Sequence, residues 1–165
     1  QVALIYGSAG TGKSTLIKTI LAQAGRKEEG IIITGGEIRS GAGIIISYID
    51  QDTGSICGTI DDFCLNRNLE KSLFLSLLRQ LDLERVQFTK RLEDFSEGQK
   101  KKVLIASSLM IPAHLYIWDE PLNYIDVFSR MQIENLIMKY QPTMLLVDHD
   151  IRFQEKIATR VIEMP

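Results

Sequence analysis

Residues Gly7 to Thr15 read GSAGTGKST, and they constrain the architecture more tightly than any other stretch of the chain. They fit the pattern G-x-x-x-x-G-K-[ST], in which a glycine-rich loop leads from a strand into a helix and wraps a phosphate group. A short apolar run, Val2 to Tyr6, precedes the loop, and apolar residues at helical spacing follow it as far as Gly25. This order predicts a phosphate-binding α/β fold. The alternative is a turn with a structural purpose only.

The loop offers several groups that suit a nucleoside triphosphate. Backbone N–H groups of a glycine-rich turn point inward, and the N terminus of the following helix adds partial positive charge. We expect Lys13 to reach the β- and γ-phosphates and the Ser14 hydroxyl to ligate Mg²⁺. The nucleotide-binding residues expected here are Gly7, Ser8, Ala9, Gly10, Thr11, Gly12, Lys13, Ser14 and Thr15.

A second apolar run, residues 115–118, ends in the adjacent acids Asp119 and Glu120. Its length suits a buried parallel strand, and two carboxylates at its end would be costly to bury without a cation. We expect Asp119 to belong to the Mg²⁺ shell and Glu120 to orient an attacking water. A solvated acidic turn before Pro121 is the alternative.

A third apolar run, residues 143–148, leads into His149. Open α/β sheets bind ligands at the carboxyl ends of their strands, so we expect His149 to contact the γ-phosphate. Another strand is expected at 160–163. The helix between the second and third runs is expected to bury Phe128, Met131, Leu136, Ile137 and Tyr140.

Composition limits the possible classes of protein. The net charge of −2 argues against a surface that binds nucleic acid throughout. No apolar run approaches the roughly 20 residues that span a bilayer, so we expect no direct membrane insertion and a cytoplasmic location. Cys57 and Cys64 are expected to be reduced thiols without a chemical role. Because the chain starts inside an apparent strand and without Met, it is expected to be a piece of a longer protein.

In this order the motifs resemble those of the ATP-binding cassette, or ABC, family. Phe95 to Gln99, FSEGQ, is similar to the family's signature sequence LSGGQ, and Gln51 stands where the family has its Q-loop. Leu122 to Asp126, LNYID, is similar to the D-loop, and His149 matches the switch histidine. Glu97 departs from the family because it replaces the first signature glycine. An acid there would repel a γ-phosphate unless it is turned away or paired.

The resemblance implies an α/β fold of the P-loop NTPase type, a mainly parallel sheet flanked by helices. It further implies a partial antiparallel β-subdomain and a small helical lobe at roughly 55–95, all within one nucleotide-binding domain over residues 1–165. Residues 30–50, which alternate glycine with isoleucine runs, are expected to supply the β-subdomain strands. A helix near 69–81 is expected to bury Leu69, Leu73, Leu77, Leu78 and Leu81.

The resemblance also implies roles for residues outside the loop. The cofactors are ATP and Mg²⁺, with Ser14, Gln51 and Asp119 at the metal and with Gln51, Glu120 and His149 as catalytic residues. In this family the signature sequence serves the ATP of a second cassette packed head to tail. That cassette belongs to the same parent chain or to a second copy. The residues implied to contact nucleotide in this way are Ser96, Gly98, Gln99 and Asp126.

Three lysines, Lys100 to Lys102, follow the signature. Ser96 and Gln99 have capping-box spacing, so a helix should begin here, and cations in its first turns slightly oppose its dipole. The lysines are therefore not placed there to stabilise the helix. We expect them to face the nucleotide or a nucleic-acid partner, and the plainer alternative is that they face solvent.

The stretches WDEPLNYID and FSEGQKKK are similar to the ABC-F subfamily, above all to the second cassette of its antibiotic-resistance members. This resemblance implies an ATP-hydrolysing cassette of a soluble protein that acts on the ribosome and protects it from antibiotics. An ATPase subunit of an ABC transporter and a non-hydrolysing ATP-dependent clamp stay open as alternatives.

Overall fold

The computed structural model describes residues 1–27, 30–31 and 34–165. The chain divides into two compact units. The first comprises Gln1–Tyr48, Pro112–Asp119 and Gln141–Pro165, and the second comprises Ile49–Ile111 and Glu120–Tyr140.

The strands and helices follow each other along the chain in an α/β order. The strands are β1 Val2–Tyr6, β2 Ile46–Ile49, β3 Leu115–Asp119, β4 Met144–Val147 and β5 Arg160–Glu163. The α-helices are α1 Lys13–Gln23, α2 Ile60–Asn66, α3 Lys71–Gln80, α4 Glu97–Leu109, α5 Val127–Tyr140 and α6 Ile151–Ile157. Short 3-10 helices lie at Arg85–Thr89 and Leu92–Asp94.

The strands form one sheet in the order β2-β3-β4-β1-β5. Strands β3, β4, β1 and β5 run parallel, and the register aligns Val147 with both Ile5 and Asp119. Parallel strands end at the same edge of a sheet, so the segments after β1, β3 and β4 emerge side by side. The predicted α/β fold with a mainly parallel sheet flanked by helices is confirmed, and so are the strands expected near 2–6, 115–118, 143–148 and 160–163.

A buried apolar cluster joins α1 to the sheet. Ile17 and Leu21 of α1 are almost fully buried with Ile5, Ile117 and Val147. The two helix residues are four positions apart and therefore share one face, as the helical spacing predicted. This cluster fixes the direction in which α1 leaves the glycine-rich loop.

The predicted β-subdomain is not found in the described part of residues 30–50. Within that part only Ile46–Ile49 form a strand, and it joins the main sheet beside β3. Gly30, Gly36 and Gly43 have positive φ, which interrupts the extended conformation that a strand requires. Ile32 and Ile33, on which part of the prediction rested, lie outside the described residues.

The second unit has a helical core of its own. The rings of Phe63 in α2 and Phe74 in α3 stack with centroids 5.6 Å apart. Leu78 and Leu81 are buried as expected, but Leu73 is 51% exposed, so that part of the prediction was wrong. Phe74 takes the buried position instead, because it shares the inner face of α3 with Leu78, four residues on.

The prediction for helix α5 is confirmed at Ile137 but is wrong at three other positions. Ile133 and Ile137 are buried, together with the small polar residue Ser129. Three residues that were expected to be buried are exposed instead: Phe128, Met131 and Tyr140. Ser129 lies inward, where its hydroxyl is 2.8 Å from both the Leu81 carbonyl oxygen and Asp126 Oδ2 and shares its single proton between these two acceptors.

Within the part of the chain that the structure describes, none of the helices combines the length and the apolar character needed to cross a membrane.

Candidate nucleotide-binding site

One loop and two residues that the sequence predicted for the site lie at the carboxyl edge of the parallel sheet in the first unit. The glycine-rich loop follows β1, Asp119 is the last residue of β3, and His149 stands just after β4. Since β4 lies between β3 and β1, the segment containing His149 leaves the sheet between the acid and the loop. This edge is where open α/β sheets bind their ligands.

The loop turns sharply at Gly12, whose φ of 89° lies in the left-handed region that favours glycine. Helix α1 begins at the next residue, Lys13, which is only 7% exposed. The Lys13 ammonium donates to the carbonyl oxygens of Gly7 and Ser8, at 2.8 Å each. A shielded cation, the loop and the N terminus of α1 thus meet at one point, which suits a phosphate anion.

A hydroxyl and a carboxylate meet beside the loop. Ser14 Oγ donates to Asp119 Oδ2 at 3.1 Å, and Asp119 is 1% exposed. Mg²⁺ prefers oxygen ligands and is commonly bound by one or two protein groups, with phosphate oxygens and water completing its shell. Ser14 and Asp119 therefore fit a magnesium ion that is shared with a bound triphosphate.

His149 lies in a tightly bonded turn. The buried carboxylate of Asp148 accepts from the backbone N–H of Asp150 at 2.8 Å. Asp150 in turn caps α6 by accepting from the Phe153 N–H, and the Gln154 amide donates to the Asp148 carbonyl. The exposed His149 is thus held at a defined place, but its contact with a γ-phosphate stays a prediction.

Glu120 opens a strained turn of the second unit. Its φ is 48°, an uncommon value for a residue with a side chain, and Asn123 Nδ2 donates to its Oε2 at 2.7 Å. The Arg130 guanidinium donates to the carbonyl oxygens of Leu122 and Ile125 at 3.1 and 3.2 Å. Sequence reasoning gave Asn123 and Arg130 no role. Their bonds fix the segment that carries Glu120.

The capping box predicted at the signature is present. Ser96 Oγ accepts from the backbone N–H of Gln99 at 3.3 Å, and the side-chain oxygen Oε1 of Gln99 accepts from the backbone N–H of Ser96 at 3.0 Å. Gly98 lies against the backbone of Tyr124, so closely that a Cβ on Gly98 would overlap the Tyr124 carbonyl oxygen. The signature turn and the LNYID segment are therefore in direct contact within the second unit.

The expectations for the lysines that follow the signature were wrong for Lys101 and Lys102. Both are buried, with 2% and 6% exposure. Lys102 Nζ lies 2.7 Å from Asp126 Oδ2 and donates to the Asp82 carbonyl at 3.4 Å. Lys101 Nζ donates to the Asp50 carbonyl at 3.0 Å. These ammonium groups tie parts of the second unit together and offer no exposed basic face.

Asp126 is held as a carboxylate by its neighbours. Partial burial acts to raise its pKa, but hydrogen bonds from Lys102 and Ser129 outweigh burial and lower the pKa to about 2. Ser129 contributes both its backbone N–H and its hydroxyl, each at 2.8 Å. In this structure Asp126 links α4 to the start of α5. The nucleotide contact implied by the family resemblance stays a prediction.

Glu97, which departs from the family pattern, is paired. Its carboxylate accepts from the Thr53 hydroxyl, and its other oxygen lies 3.3 Å from Lys100 Nζ. The Thr53 hydrogen bond and then the Lys100 contact lower the pKa of Glu97. Thr53 lies two residues after the predicted Mg²⁺ residue Gln51, which is exposed.

The predicted site residues fall into two sets. The first unit contains the loop with Lys13 and Ser14, Asp119 and His149. The second unit contains the remaining predicted residues, which are Gln51, Ser96, Gly98, Gln99, Glu120 and Asp126. Within each unit, these residues occupy bonded turns at the ends of strands or helices.

Comparison with known proteins agrees with this geometry. An ABC transporter ATP-binding protein of Methanocaldococcus jannaschii is 32% identical to the chain over 98% of its length. The ABC transporter F family member 5 of Arabidopsis thaliana is 27% identical over 97%. The chain spans only 27% and 23% of these two relatives, about a quarter of each.

A solved structure shows the same fold. The complex of an archaeal ribosome recycling factor, aABCE1, with the ribosomal stalk protein aP1 contains a chain that superposes with a TM-score of 0.72. The match covers 99% of this chain and 31% of that one, at 26% identity. The profile of the family described as ABC transporter matches residues 1–123. With the glycine-rich loop and Asp119 inside that match, the chain belongs to the ABC transporter family as an ABC ATPase domain.

Proposed function

We propose that this chain is a Mg²⁺-dependent, ATP-binding and ATP-hydrolysing cassette of a soluble ABC-F protein that acts on the ribosome. The observation that carries the ATPase part is the contact of Ser14 with the buried Asp119, beside a loop that contains Lys13. A buried acid and a hydroxyl beside a phosphate-binding loop are the groups that a magnesium–triphosphate complex requires.

Each group of residues has a separate role in the proposed hydrolysis. Lys13 and the loop amides bind the phosphates, while Ser14, Asp119 and Gln51 hold Mg²⁺ and its waters. When bound, the ion would supply positive charge beside the phosphate oxygens. Glu120 orients the attacking water, and His149 contacts the γ-phosphate.

A second cassette completes the reaction in this proposal. Ser96 and Gly98 lie at the N terminus of α4, where unpaired amides and the helix dipole favour an anion. Facing the γ-phosphate of a partner cassette, they would make ATP the contact between two domains. The partner is a second cassette of the same parent chain or a second copy of this one.

Two likenesses support the ABC-F and ribosome parts of the proposal. Over the aligned residues, the F family member of Arabidopsis is 27% identical to the chain. The ribosome recycling factor has the same fold and is 26% identical over its aligned residues. Protection of the ribosome from antibiotics is the finer proposal. It rests on the resemblance of FSEGQKKK and WDEPLNYID to the second cassette of resistance proteins.

A transporter ATPase subunit is the second candidate, because the matching family and the archaeal relative are both described as ABC transporter proteins. In that case the chain would work with a membrane partner, and the helices at 60–80 would be the surface to examine for that contact.

The deciding experiment uses the complete protein that carries this chain. Glu120→Gln keeps an oxygen that can accept from Asn123, but it removes the charge that orients water, so ATP should bind and persist. We expect this variant to co-sediment with ribosomes only when Mg·ATP is present. Lys13→Ala, which weakens phosphate binding, is the matched control and should not co-sediment. If Glu120→Gln associates with ribosomes in neither state, the transporter candidate becomes the better one.

A further inference from the structure

A cluster of polar contacts in the second unit joins the segment after β2 to the first turns of α4. The Thr53 hydroxyl donates to the Glu97 carboxylate, and the Lys101 ammonium donates to the Asp50 carbonyl at 3.0 Å. Gln51 lies between the two anchored residues, one position after Asp50 and two before Thr53. The residues on both sides of Gln51 are therefore bonded to the same helix, Asp50 through its backbone carbonyl and Thr53 through its side-chain hydroxyl.

Each bond is partly shielded from water, because its donor residue is buried although the acceptor residues, Glu97 and Asp50, are exposed. Thr53 is 4% exposed and Lys101 is 2% exposed. Breaking either bond takes from a buried donor an interaction that water does not readily replace. The segment cannot leave α4 without losing these interactions.

Because Glu97 belongs to the signature segment, its contact with Thr53 connects that segment to the residues around Gln51. It stands between Ser96 and Gly98, where the similar signature sequence has glycine, which offers no side-chain acceptor to Thr53. Lys100, 3.3 Å from the carboxylate, compensates the charge locally. The acid that departs from the family pattern is thus directed to the Gln51 segment and is already paired.

We propose that Glu97 is a positioning residue: through Thr53, and together with the Lys101–Asp50 bond, it fixes Gln51 to the signature turn at Ser96 and Gly98. A displacement of the signature turn then displaces Gln51 as well, so the contacts of this cassette with its own nucleotide and with its partner's nucleotide change together. This inference rests on the proposed function, since that function gives Gln51 and Ser96 their roles in hydrolysis.

The test compares four variants of the complete protein. Thr53→Val and Glu97→Gly each remove the hydrogen bond, whereas Glu97→Gln keeps an oxygen acceptor for Thr53. Lys100→Gln is the matched control, because it removes the charge next to Glu97 and leaves the Thr53 bond in place. Amide hydrogen exchange is measured over residues 50–56 without nucleotide, and single-turnover hydrolysis of Mg·ATP is measured separately.

We expect exchange in residues 50–56 to become roughly tenfold faster in Thr53→Val and Glu97→Gly, the factor for losing one partly shielded hydrogen bond. Their hydrolysis rates should fall roughly ten- to a hundredfold through misplacement of Gln51, with the KM for ATP little changed. A fifth variant that combines Thr53→Val with Glu97→Gly should hydrolyse ATP no more slowly than the slower of the two single variants. Glu97→Gln should recover most of the rate, and Lys100→Gln should match the wild type in both measurements.

The two measurements separate this inference from the proposed function. Unchanged exchange in Thr53→Val and Glu97→Gly overturns the inference whatever the hydrolysis rates are. Faster exchange with wild-type hydrolysis overturns it too, because Gln51 then needs no such positioning. If the wild type itself does not hydrolyse ATP, the proposed function fails, and the role of the contacts in hydrolysis fails with it. The exchange data would then still report on the contacts themselves.

Discussion

Lys102 and Asp126 show how two single residues serve the structure at a predicted functional segment. The Lys102 side chain is 7% exposed, and its ammonium is shared between a carboxylate and a backbone carbonyl. Three successive lysines suggested a basic surface, since lysine is rarely buried unless it is paired. The pairing acids lie elsewhere in the sequence, so residue-level reasoning could not foresee it. Long-range partners decide the role of these residues.

The Asp126 carboxyl should make stability depend on pH in a defined window. Its folded pKa of about 2 lies below the ordinary value of 3.8, so its contribution is present above pH 4 and is lost as the pH falls towards 2. We expect the free energy of unfolding, from urea denaturation, to fall less steeply between pH 4 and pH 2 in Asp126→Asn. Adding Lys102→Met to that variant should not change the slope further. An equal slope in wild type and Asp126→Asn would contradict this assignment.

Gly98 should tolerate no side chain, although a helix normally prefers alanine. Gly98→Ala would gain roughly 1 kcal/mol of helix propensity, but its Cβ would overlap the Tyr124 carbonyl oxygen. Because a backbone atom cannot move aside cheaply, we expect a net loss of about 1–3 kcal/mol. Gly35→Ala is the matched control, since its Cβ meets no atom within 4 Å, and it should stay within about 0.5 kcal/mol of the wild type. Equal stability of the two variants in denaturant would refute the close contact.

Among the elements, the strands were the most predictable part. Parallel strands buried on both faces read as continuous apolar runs, so β1, β3 and β4 could be placed to within about two residues. Helix α5 was placed correctly and Ile137 was correctly expected to be buried, but the rest of the buried face was not predicted, because apolar residues lie all around the helix. The face that turns inward contains Ser129, whose contacts with Asp126 and Leu81 arise only in the tertiary structure. Glycine and isoleucine at 30–50 likewise suggested strands that positive φ values interrupt.

In the candidate site, too, the residues set by a local motif were predictable and those set by tertiary contacts were not. Lys13, Ser14 and Asp119 could be predicted because a motif fixes their local spacing and the parallel order of β1, β4 and β3 brings the strand ends together. Thr53, Lys101 and Arg130 could not be predicted, since no motif marks them and their partners are distant in sequence. The capping box at Ser96 was visible because it is local.

Two helices of the second unit begin with the same capping box, which allows a controlled test of the signature. Ser96 caps α4 and Thr59 caps α2, and each side-chain oxygen accepts from the N–H three residues on. We expect Ser96→Ala and Thr59→Ala each to cost about 1 kcal/mol of stability in urea denaturation. Only Ser96→Ala should also slow ATP hydrolysis, because only that hydroxyl is proposed to face a nucleotide. Equal hydrolysis rates in the two variants would remove Ser96 from the site.

At the scale of the whole molecule, the predicted residues divide into a set proposed to bind nucleotide and a set proposed to serve a partner. The loop, Ser14 and Asp119 belong to the first unit, whereas Ser96 and Gly98 belong to the second. If the signature serves another cassette, a chain alone has both halves but cannot use them on one ATP. Hydrolysis should then depend on protein concentration.

Mixing two inactive variants tests this arrangement directly. Lys13→Ala should lose its own nucleotide site and keep its signature, while Ser96→Glu should keep the nucleotide site and repel a partner's γ-phosphate. Neither variant should hydrolyse ATP well by itself. In an equimolar mixture, the wild-type signature of the first can complete the intact nucleotide site of the second, so the rate should exceed the sum of the separate rates and should rise with protein concentration. A mixture that gives only that sum would show that two copies of this chain do not complete a site together. A wild-type chain that turns over vigorously at high dilution would show that the site is complete within one chain.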